Sequence, residues 1–183
     1  MALQLYLDSG ATTLIDDTNP DVYSEAVSAG ANAIGETQIY LKSDDSSQTY
    51  ENISITSESI AVNWADGVSY EARDAGTDTE ADVVIGSDGE IYKCVVDHTS
   101  DSTNEPITGA SYDTYWELVT DVTLEFAEDS SGSPDTYSTT LSIPDGDYTT
   151  ATPIWRKSTT NSISEAFRRA DLRHKVVSDE YVK

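Results

Sequence analysis

Two histidines and one cysteine are the side chains of this sequence best suited to nucleophilic or metal chemistry. His98 and His174 lie far apart in the sequence, so the chain has few residues from which to form a histidine-rich zinc site or a Ser-His-Asp triad. Cys94 and His98 fall on the same side of an ideal strand and could form a nucleophile pair. Such a cysteine is more commonly a small buried core residue, and we interpret His98 as a structural hydrogen-bonding residue. We therefore expect no catalytic residue and no enzymatic activity.

Carboxylates are so abundant that they carry little information about chemistry. A carboxylate pair could support glycoside hydrolysis, but among 34 acidic residues no pair stands out. The acidic turns at 16–17, 44–45 and 145–147 offer oxygen ligands for calcium, yet none has the spacing of an EF-hand loop. The glycine turn at 86–89 lacks the lysine and the helix of a phosphate-binding loop. We expect no metal and no cofactor, with calcium as the minor alternative.

The net charge of −24 limits the partners of the protein, because such a surface repels nucleic-acid phosphates and anionic membranes. No stretch approaches the roughly 20 apolar residues needed to cross a bilayer. Residues 1–8 carry no positive charge before their short apolar run, which is unlike a secretory signal. Cys94 alone cannot form an internal disulfide. We expect synthesis in a cytoplasm without a signal peptide, and neither a nucleic-acid nor a membrane partner.

The elements that would position Cys94 and His98 are strands. Residues 83–85 alternate between apolar and polar, residues 86–89 supply a turn, and residues 91–96 form an apolar, β-branched and aromatic return strand. This pattern predicts a hairpin. Pro106 then interrupts the chain, because proline lacks an amide donor and forces the preceding residue into an extended conformation. An aromatic strand at 112–119 completes a small β-module.

Residues 64–119 also carry a longer pattern, Trp64…Tyr70…Asp82-Val-Val…Gly89-x-x-Tyr92-Lys-Cys94…His98-Thr-Ser100…Glu105-Pro106…Trp116-Glu-Leu118. This pattern resembles the small chitin- and cellulose-binding modules at the ends of bacterial chitinases. It also resembles their relatives in structural proteins of tailed bacteriophages. The match covers about a third of the chain, in order. The resemblance implies the fold of that module and a place in a phage particle.

The sugar-binding modules of that family have an exposed tryptophan immediately before the Glu-Pro pair, and its ring stacks on a sugar. This chain has Asn104 there, and an amide cannot replace a ring whose stacking and apolar burial supply most of the affinity. The resemblance thus implies the scaffold more than the sugar site. The remaining candidates for a sugar-stacking platform are Trp64, Tyr112, Tyr115 and Trp116. For the two tyrosines we favour the alternative, a place in or beside the core of the module.

The segments that flank the module have the period of strands. Leu3, Leu5 and Leu7 share one face, and residues 37–42 and 50–55 alternate on either side of a polar turn, which predicts a second hairpin. After the module, alternation returns in 122–126 and in 137–143.

We expect these flanks to share one all-β fold. Segments below about 60 residues have little core to stabilise them. The sequence therefore favours a split β-sandwich-like domain formed by 1–61 and 120–161, with the module inserted at 62–119. Three consecutive small units are the alternative.

Basic residues are concentrated near the C-terminus. Residues 156–183 hold seven of the ten basic residues and four acids, a net +3, which leaves −27 for residues 1–155. Residues 162–170 have helical apolar spacing behind a Ser162-x-x-Glu165 capping box, so 162–183 is predicted to be a short amphipathic helix and a basic arm. The helix could pack on its own chain or dock on a neighbour; we favour the first for the helix and docking for 176–183. The predicted assembly contacts are Arg156, Arg168, Arg169, Arg173 and Lys175.

These features lead to two functional hypotheses. The first is a non-enzymatic structural or accessory protein of a tailed-phage particle, a capsid decoration or a neck or tail accessory. Its partners would be other virion proteins, with the chain present as a homo-oligomer or in many copies and located in the virion. The alternative is a carbohydrate-binding module that recognises a host or environmental glycan. A hydrolase is a weaker third hypothesis.

Overall fold

The protein is described from a computed structural model, which defines residues 3–16, 33–74, 76–77, 80–119, 122–160 and 171–183. The all-β fold class predicted from the sequence is confirmed. In chain order the elements are β1 (Leu3–Tyr6), β2 (Ala33–Ser43), β3 (Gln48–Ser59), β4 (Val62–Asn63), β5 (Ser69–Tyr70), β6 (Val83–Ile85), β7 (Ile91–Cys94), β8 (His98–Thr99), α1 (Tyr112–Tyr115), β9 (Trp116–Leu118), β10 (Val122–Glu128), β11 (Thr140–Ile143), β12 (Thr152–Thr160) and β13 (Leu172–Val182).

The chain divides into two compact units, and each is assembled from separate stretches of sequence. Unit 1 comprises Met1–Glu58, Thr123–Thr160 and Arg173–Lys183. Unit 2 comprises Ser59–Val122 and Asn161–Leu172.

Unit 1 contains two sheets with strand orders β1-β2-β12-β10 and β11-β3-β13. Alternation points one face of every strand inward, so Ile39 and Leu41 of the first sheet meet Ile53 and Ile55 of the second in one core. The same core includes Phe126, which is fully buried. Burial of side chains from both sheets is the defining feature of a β-sandwich, as expected from the sequence.

The structure corrects the second predicted hairpin. The strands β2 and β3 follow one another through the short turn at 44–47, but they lie in different sheets. β2 pairs instead with β12, in a register that places Ile154 opposite Ile39, and β3 pairs with β11. Both strands have an apolar face, and packing these faces against each other buries more apolar surface than side-by-side pairing would. The buried Tyr50 hydroxyl lies 2.7 Å from Ser43 Oγ, which links the two sheets at this turn.

Unit 2 contains a four-stranded sheet, β4-β6-β7-β9, and the two-stranded sheet β5-β8. The hairpin predicted for 83–96 is present as β6 and β7, with Val84 opposite Tyr92. Gly89 has φ +85°, a conformation that glycine adopts without strain, and its amide donates to Gly86 O at 3.0 Å. The local turn chemistry was therefore sufficient to specify this hairpin.

The strand predicted for 112–119 is wrong in its first half. Tyr112–Tyr115 form the one-turn helix α1, and the chain becomes extended only at Trp116, where φ is −128° and ψ is 141°. The turn follows directly from a tight loop, in which the Ser111 amide donates to Thr103 O at 2.8 Å. An isolated helical turn carries no periodicity that a sequence pattern could reveal.

The C-terminus also differs from the expected docking arm. Residues 176–182 belong to β13, and Val176 packs against the core of unit 1. Pairing with β3 satisfies backbone groups that a free tail would leave to water, and alternation gives the strand an inward face. The predicted helix at 162–170, with Arg168 and Arg169, lies outside the described residues.

Candidate functional site

The aromatic residues of unit 2 form its core. Tyr70, Tyr92 and Trp116 are buried together with Val84 and Cys94. The Tyr70 and Trp116 rings meet edge-to-face with centroids 5.0 Å apart, a geometry that aromatic pairs favour. This packing corrects one candidate for the sugar platform, because Trp116 is only 3% exposed and offers no free ring face.

The other three candidate platform residues lie at the margin of that core. Trp64, Tyr112 and Tyr115 are partly buried and pack against it. The Tyr115 ring also contacts the ring of His98, with centroids 4.6 Å apart. The structure thus brings Tyr112, Tyr115 and Trp116 together through α1 and β9, but as packing partners, not as an exposed row of rings.

Asn104, at the position where the resemblance expects the stacking tryptophan, closes a loop. Its side chain is buried, with 4% of the residue exposed. Asn104 Oδ1 accepts a hydrogen bond from the Asp101 amide at 2.9 Å, and Nδ2 donates to Thr99 O at 3.3 Å. Its backbone oxygen accepts a hydrogen bond from Trp116 Nε1 at 2.8 Å. Every polar group of this asparagine side chain is therefore used inside unit 2.

The loop around Asn104 leaves no room for a side chain at Gly109. A Cβ atom at Gly109 would lie 2.5 Å from Thr103 O and 2.6 Å from Glu105 N, both backbone atoms. Pro106 is fully buried beside it. The corner around Asn104 is thus a closed structural element of unit 2.

The Cys94 and His98 side chains are close, but their geometry does not make a nucleophile pair. Cys94 Sγ lies 3.6 Å from His98 Nδ1 and 3.2 Å from Val96 O. His98 Nδ1 lies 2.7 Å from the same carbonyl, which can only accept, so Nδ1 carries the proton and cannot receive one from the thiol. Burial raises the pKa of the Cys94 thiol to about 12, and the carboxylates of Asp82 and Asp97 also raise it. The thiolate is therefore disfavoured, and His98 acts as a structural hydrogen-bonding residue.

Carboxylates of the acidic turns at 44–45 and 145–147 form hydrogen bonds and ion pairs within unit 1, and Asp17 of the first acidic turn lies outside the described residues. Asp45 Oδ1 accepts hydrogen bonds from the Ser47 hydroxyl and amide at 2.6 and 2.9 Å, and these bonds lower the pKa of Asp45. Asp145 Oδ1 accepts from the Asn52 amide at 3.0 Å, and Asp147 forms an ion pair with Lys183 at 2.9 Å. Within the described ranges, no group of three or more His, Cys, Asp or Glu residues is arranged to hold a metal ion.

A groove in unit 1, which the sequence did not reveal, has a volume of about 370 Å³. Its lining is Glu128, Asp129, Ile143, Pro144, Tyr148, Thr152, Pro153 and Ile154. Its lining combines apolar side chains with one tyrosine and two carboxylates. No sequence spacing marks this groove, because its lining comes from the ends of β10, β11 and β12 and from the chain between β11 and β12.

The carboxylate of Asp129 is held firmly at this groove. Asp129 Oδ1 accepts hydrogen bonds from Trp155 Nε1 at 2.8 Å and from Gln38 Nε2 at 3.0 Å, while Oδ2 accepts from the Gly132 amide at 3.0 Å. The hydrogen bonds from Gly132 and from Trp155 lower the pKa of Asp129. The groove therefore keeps a negative charge at its rim into the acidic range.

The basic residues predicted for assembly occupy different environments. The structure corrects the predicted assembly contact at Arg156, which is 2% exposed and lies on the same inward face of β12 as Ile154. Its charge indicated a surface position, but the strand alternation decides the face. Lys175 is exposed and pairs with Glu58 at 2.5 Å, and Arg173 is half-buried on the same strand.

Comparisons with protein-family models, with curated proteins and with solved structures found no match to this chain. Across the parts of the chain that the structure describes, no helix has the length and apolar character required to cross a membrane.

Proposed function

We propose that this chain is a non-enzymatic structural protein of a tailed-bacteriophage particle, a capsid decoration or a neck or tail accessory, which carries unit 2 as a carbohydrate-binding-like module. The observation that carries this proposal is the conversion of the sugar-platform position into a structural corner. Asn104 is buried there with hydrogen bonds to both its Oδ1 and its Nδ2, and Trp116 packs in the core. The residue pattern of 64–119 supports the phage context through its resemblance to modules of phage structural proteins.

The state of the thiol supports a non-catalytic role. A nucleophilic cysteine requires a lowered pKa and a base that can accept its proton. Cys94 has a raised pKa, and the nearest ring nitrogen of His98 is a donor to Val96 O. The most reactive side chain of unit 2 is therefore used for packing.

The acidic surface supports assembly with other proteins of the particle. A net charge of −24 gives long-range attraction for basic surfaces and keeps a protein soluble at high concentration. Both properties suit a component that must reach its partners in the host cytoplasm and then be held in the virion in many copies.

Mass spectrometry of particles purified by density gradient from an infected culture tests the proposal. We expect the chain to sediment with intact particles in a constant ratio to the major capsid protein. A phage-encoded replication enzyme serves as the control for contamination. Recovery of the chain only in the soluble fraction would contradict the virion role.

Glycan recognition is the second candidate function, with the groove of unit 1 and the aromatic residues of unit 2 as its two candidate sites. Tyr148 lies beside Pro144 and Pro153, and the carboxylates of Glu128 and Asp129 could accept sugar hydroxyl hydrogen bonds. Pull-down on chitin, cellulose and host envelope glycans tests this function. Tyr148→Ala should abolish binding if the groove is the site, whereas Tyr112→Ala or Tyr115→Ala should abolish it if unit 2 is. If the protein binds none of these glycans, attachment to other virion proteins is the role of both units.

A further inference from the structure

The C-terminal strand β13 lies at the edge of its sheet. Among the described residues the strand order is β11-β3-β13, so β3 is its neighbour on one side and no further strand follows on the other. Lys175 contacts Glu58, Asp179 contacts Asn52, and the Lys183 amide donates to Ser47 O at 2.9 Å. These contacts show that β13 runs antiparallel to β3.

The edge of β13 is unusually suited to pairing with another strand. It is 11 residues long and contains neither proline nor glycine, whereas β11, at the opposite edge of the sheet, has four residues. Val177 is 48% exposed and Val182 is 77% exposed. Proteins usually protect edges with short strands, prolines or bulges, because an open edge is a template for another strand.

The contacts with β3 define which backbone groups face the open side. In an antiparallel strand, the amide and carbonyl of successive residues point alternately to one neighbour and to the other. The Lys183 amide points to β3, so the groups of odd-numbered residues do so as well. Those of Val176 and Ser178 point away from β3, to the open edge.

The charges of Lys175 and Asp179 favour a second copy of β13 as the partner and favour one register of the pairing. In an antiparallel pair, two residues that lie opposite each other either both direct their backbone groups to the partner strand or both direct them away. In β13 the even-numbered residues face the open edge, so an even-numbered residue must lie opposite an even-numbered residue of the second copy and an odd-numbered one opposite an odd-numbered one. A two-fold axis at Val177 sets Lys175 of each copy opposite Asp179 of the other, with Val177 opposite Val177. A shift of two residues sets Lys175 opposite Tyr181 in one direction and opposite Val177 in the other, where Asp179 lies opposite Arg173. A shift of four sets Lys175 or Asp179 opposite itself, so only the axis at Val177 gives Lys175 an acidic partner within β13.

We propose that two copies of this chain pair through β13, antiparallel and in this register, to join two three-stranded sheets into one six-stranded sheet. Val176 and Ser178 would exchange backbone hydrogen bonds with Ser178 and Val176 of the second copy. Val177 would form the non-hydrogen-bonded pair, in which side chains approach most closely. Lys175 would then lie between Glu58 of its own chain and Asp179 of the other copy.

The proposal does not depend on the virion role, because it concerns the purified chain alone. A single strand edge buries little surface, so the dimer should be weak and should depend on concentration. Sedimentation velocity of the full chain at physiological ionic strength, which screens the repulsion between two acidic copies, should show a reversible monomer–dimer equilibrium from micromolar to millimolar concentration. A monomer throughout this range would overturn the proposal.

Charge reversal tests the register. Lys175→Asp alone sets acid opposite acid twice, and Asp179→Lys alone sets base opposite base twice, so each variant should dimerise at least about tenfold more weakly. An equimolar mixture of the two variants should dimerise as well as the wild type, because both cross-strand pairs are then of opposite charge. Equal dimerisation by wild type and both single variants, or no recovery in the mixture, would overturn the proposal.

A backbone variant supplies an independent test. Ser178→Pro removes an amide that points to the open edge and takes no part in the pairing with β3, a position where edge strands tolerate proline. Circular dichroism should show a folded protein, and the dimer should be lost. A folded Ser178→Pro protein that dimerises as wild type would contradict pairing through β13.

Discussion

The two units reach stability by different means. Unit 1 buries aliphatic side chains and Phe126 between two sheets of long strands, and its strand partners come from distant parts of the chain. Unit 2 has short strands and a small aromatic core, and hydrogen bonds close its loops around Asn104. Unit 1 therefore depends mainly on apolar area removed from water, and unit 2 depends more on individual polar contacts.

The largest expected effect follows from removal of the central ring of unit 1. Phe126→Ala should lower the free energy of unfolding by about 3–5 kcal/mol, because a fully buried ring is replaced by a cavity. Urea denaturation followed by circular dichroism measures the change. Tyr181→Ala, at a half-exposed position of the same unit, is the control and should cost under about 1 kcal/mol. Equal costs would show that the core of unit 1 is not its main source of stability.

A pair of tryptophan variants measures how far unit 2 depends on a single hydrogen bond. Trp116→Phe removes the indole donor to Asn104 O and leaves that buried acceptor without its bond, at a cost of about 1–3 kcal/mol.

The matched control for that variant is Trp64→Phe. Trp64 Nε1 is buried and has no hydrogen-bond partner among the described residues, so its removal deletes no bond. Hydrogen exchange of peptides from 91–118 should report a larger loss of protection for Trp116→Phe than for Trp64→Phe. The reverse order would remove the proposed contrast between the two units.

An effect of similar size is expected at Gly109, where the loop of unit 2 approaches itself. Gly109→Ala should cost about 1–3 kcal/mol, because the new Cβ atom would overlap the backbone of Thr103 and Glu105, which must shift. The midpoint of urea unfolding measures it. Gly76→Ala, where the nearest atom is an exposed Asp74 oxygen at 3.2 Å, is the matched control and should leave the midpoint nearly unchanged.

The smallest expected effect is a pH dependence in unit 1. The pKa of Asp129 is lowered by its hydrogen bonds to Gly132, Trp155 and Gln38, so the ionised form stabilises the fold. This contribution is fully present above the ordinary carboxyl pKa of 3.8 and is lost as the pH falls through the lowered value. Asp129→Asn should therefore flatten the decline of stability with acidification, measured by thermal unfolding between neutral pH and pH 3. A wild-type slope in the variant would contradict this role of the carboxylate.

Local signals predicted the local parts of both units. The alternation of Ile53 and Ile55, or of Leu3 and Leu5, was enough to identify strands and their buried faces. The turn before Ile91 predicted the β6–β7 hairpin. The place of Tyr112 and Tyr115 beside the core of unit 2 was predicted, but the burial of Trp116 was not, because burial depends on neighbours that a pattern does not contain.

By itself, the sequence determined that this is a protein of strands, where most of them run, and that its surface is strongly acidic, because period and composition are local properties of the chain. Only the tertiary structure decided that β2 pairs with β12, that Arg156 is buried and that the C-terminal residues form the strand β13 beside β3. Strand pairing is a choice among many apolar faces of similar pattern, and the free energy that selects one arrangement comes from the packing of the whole core.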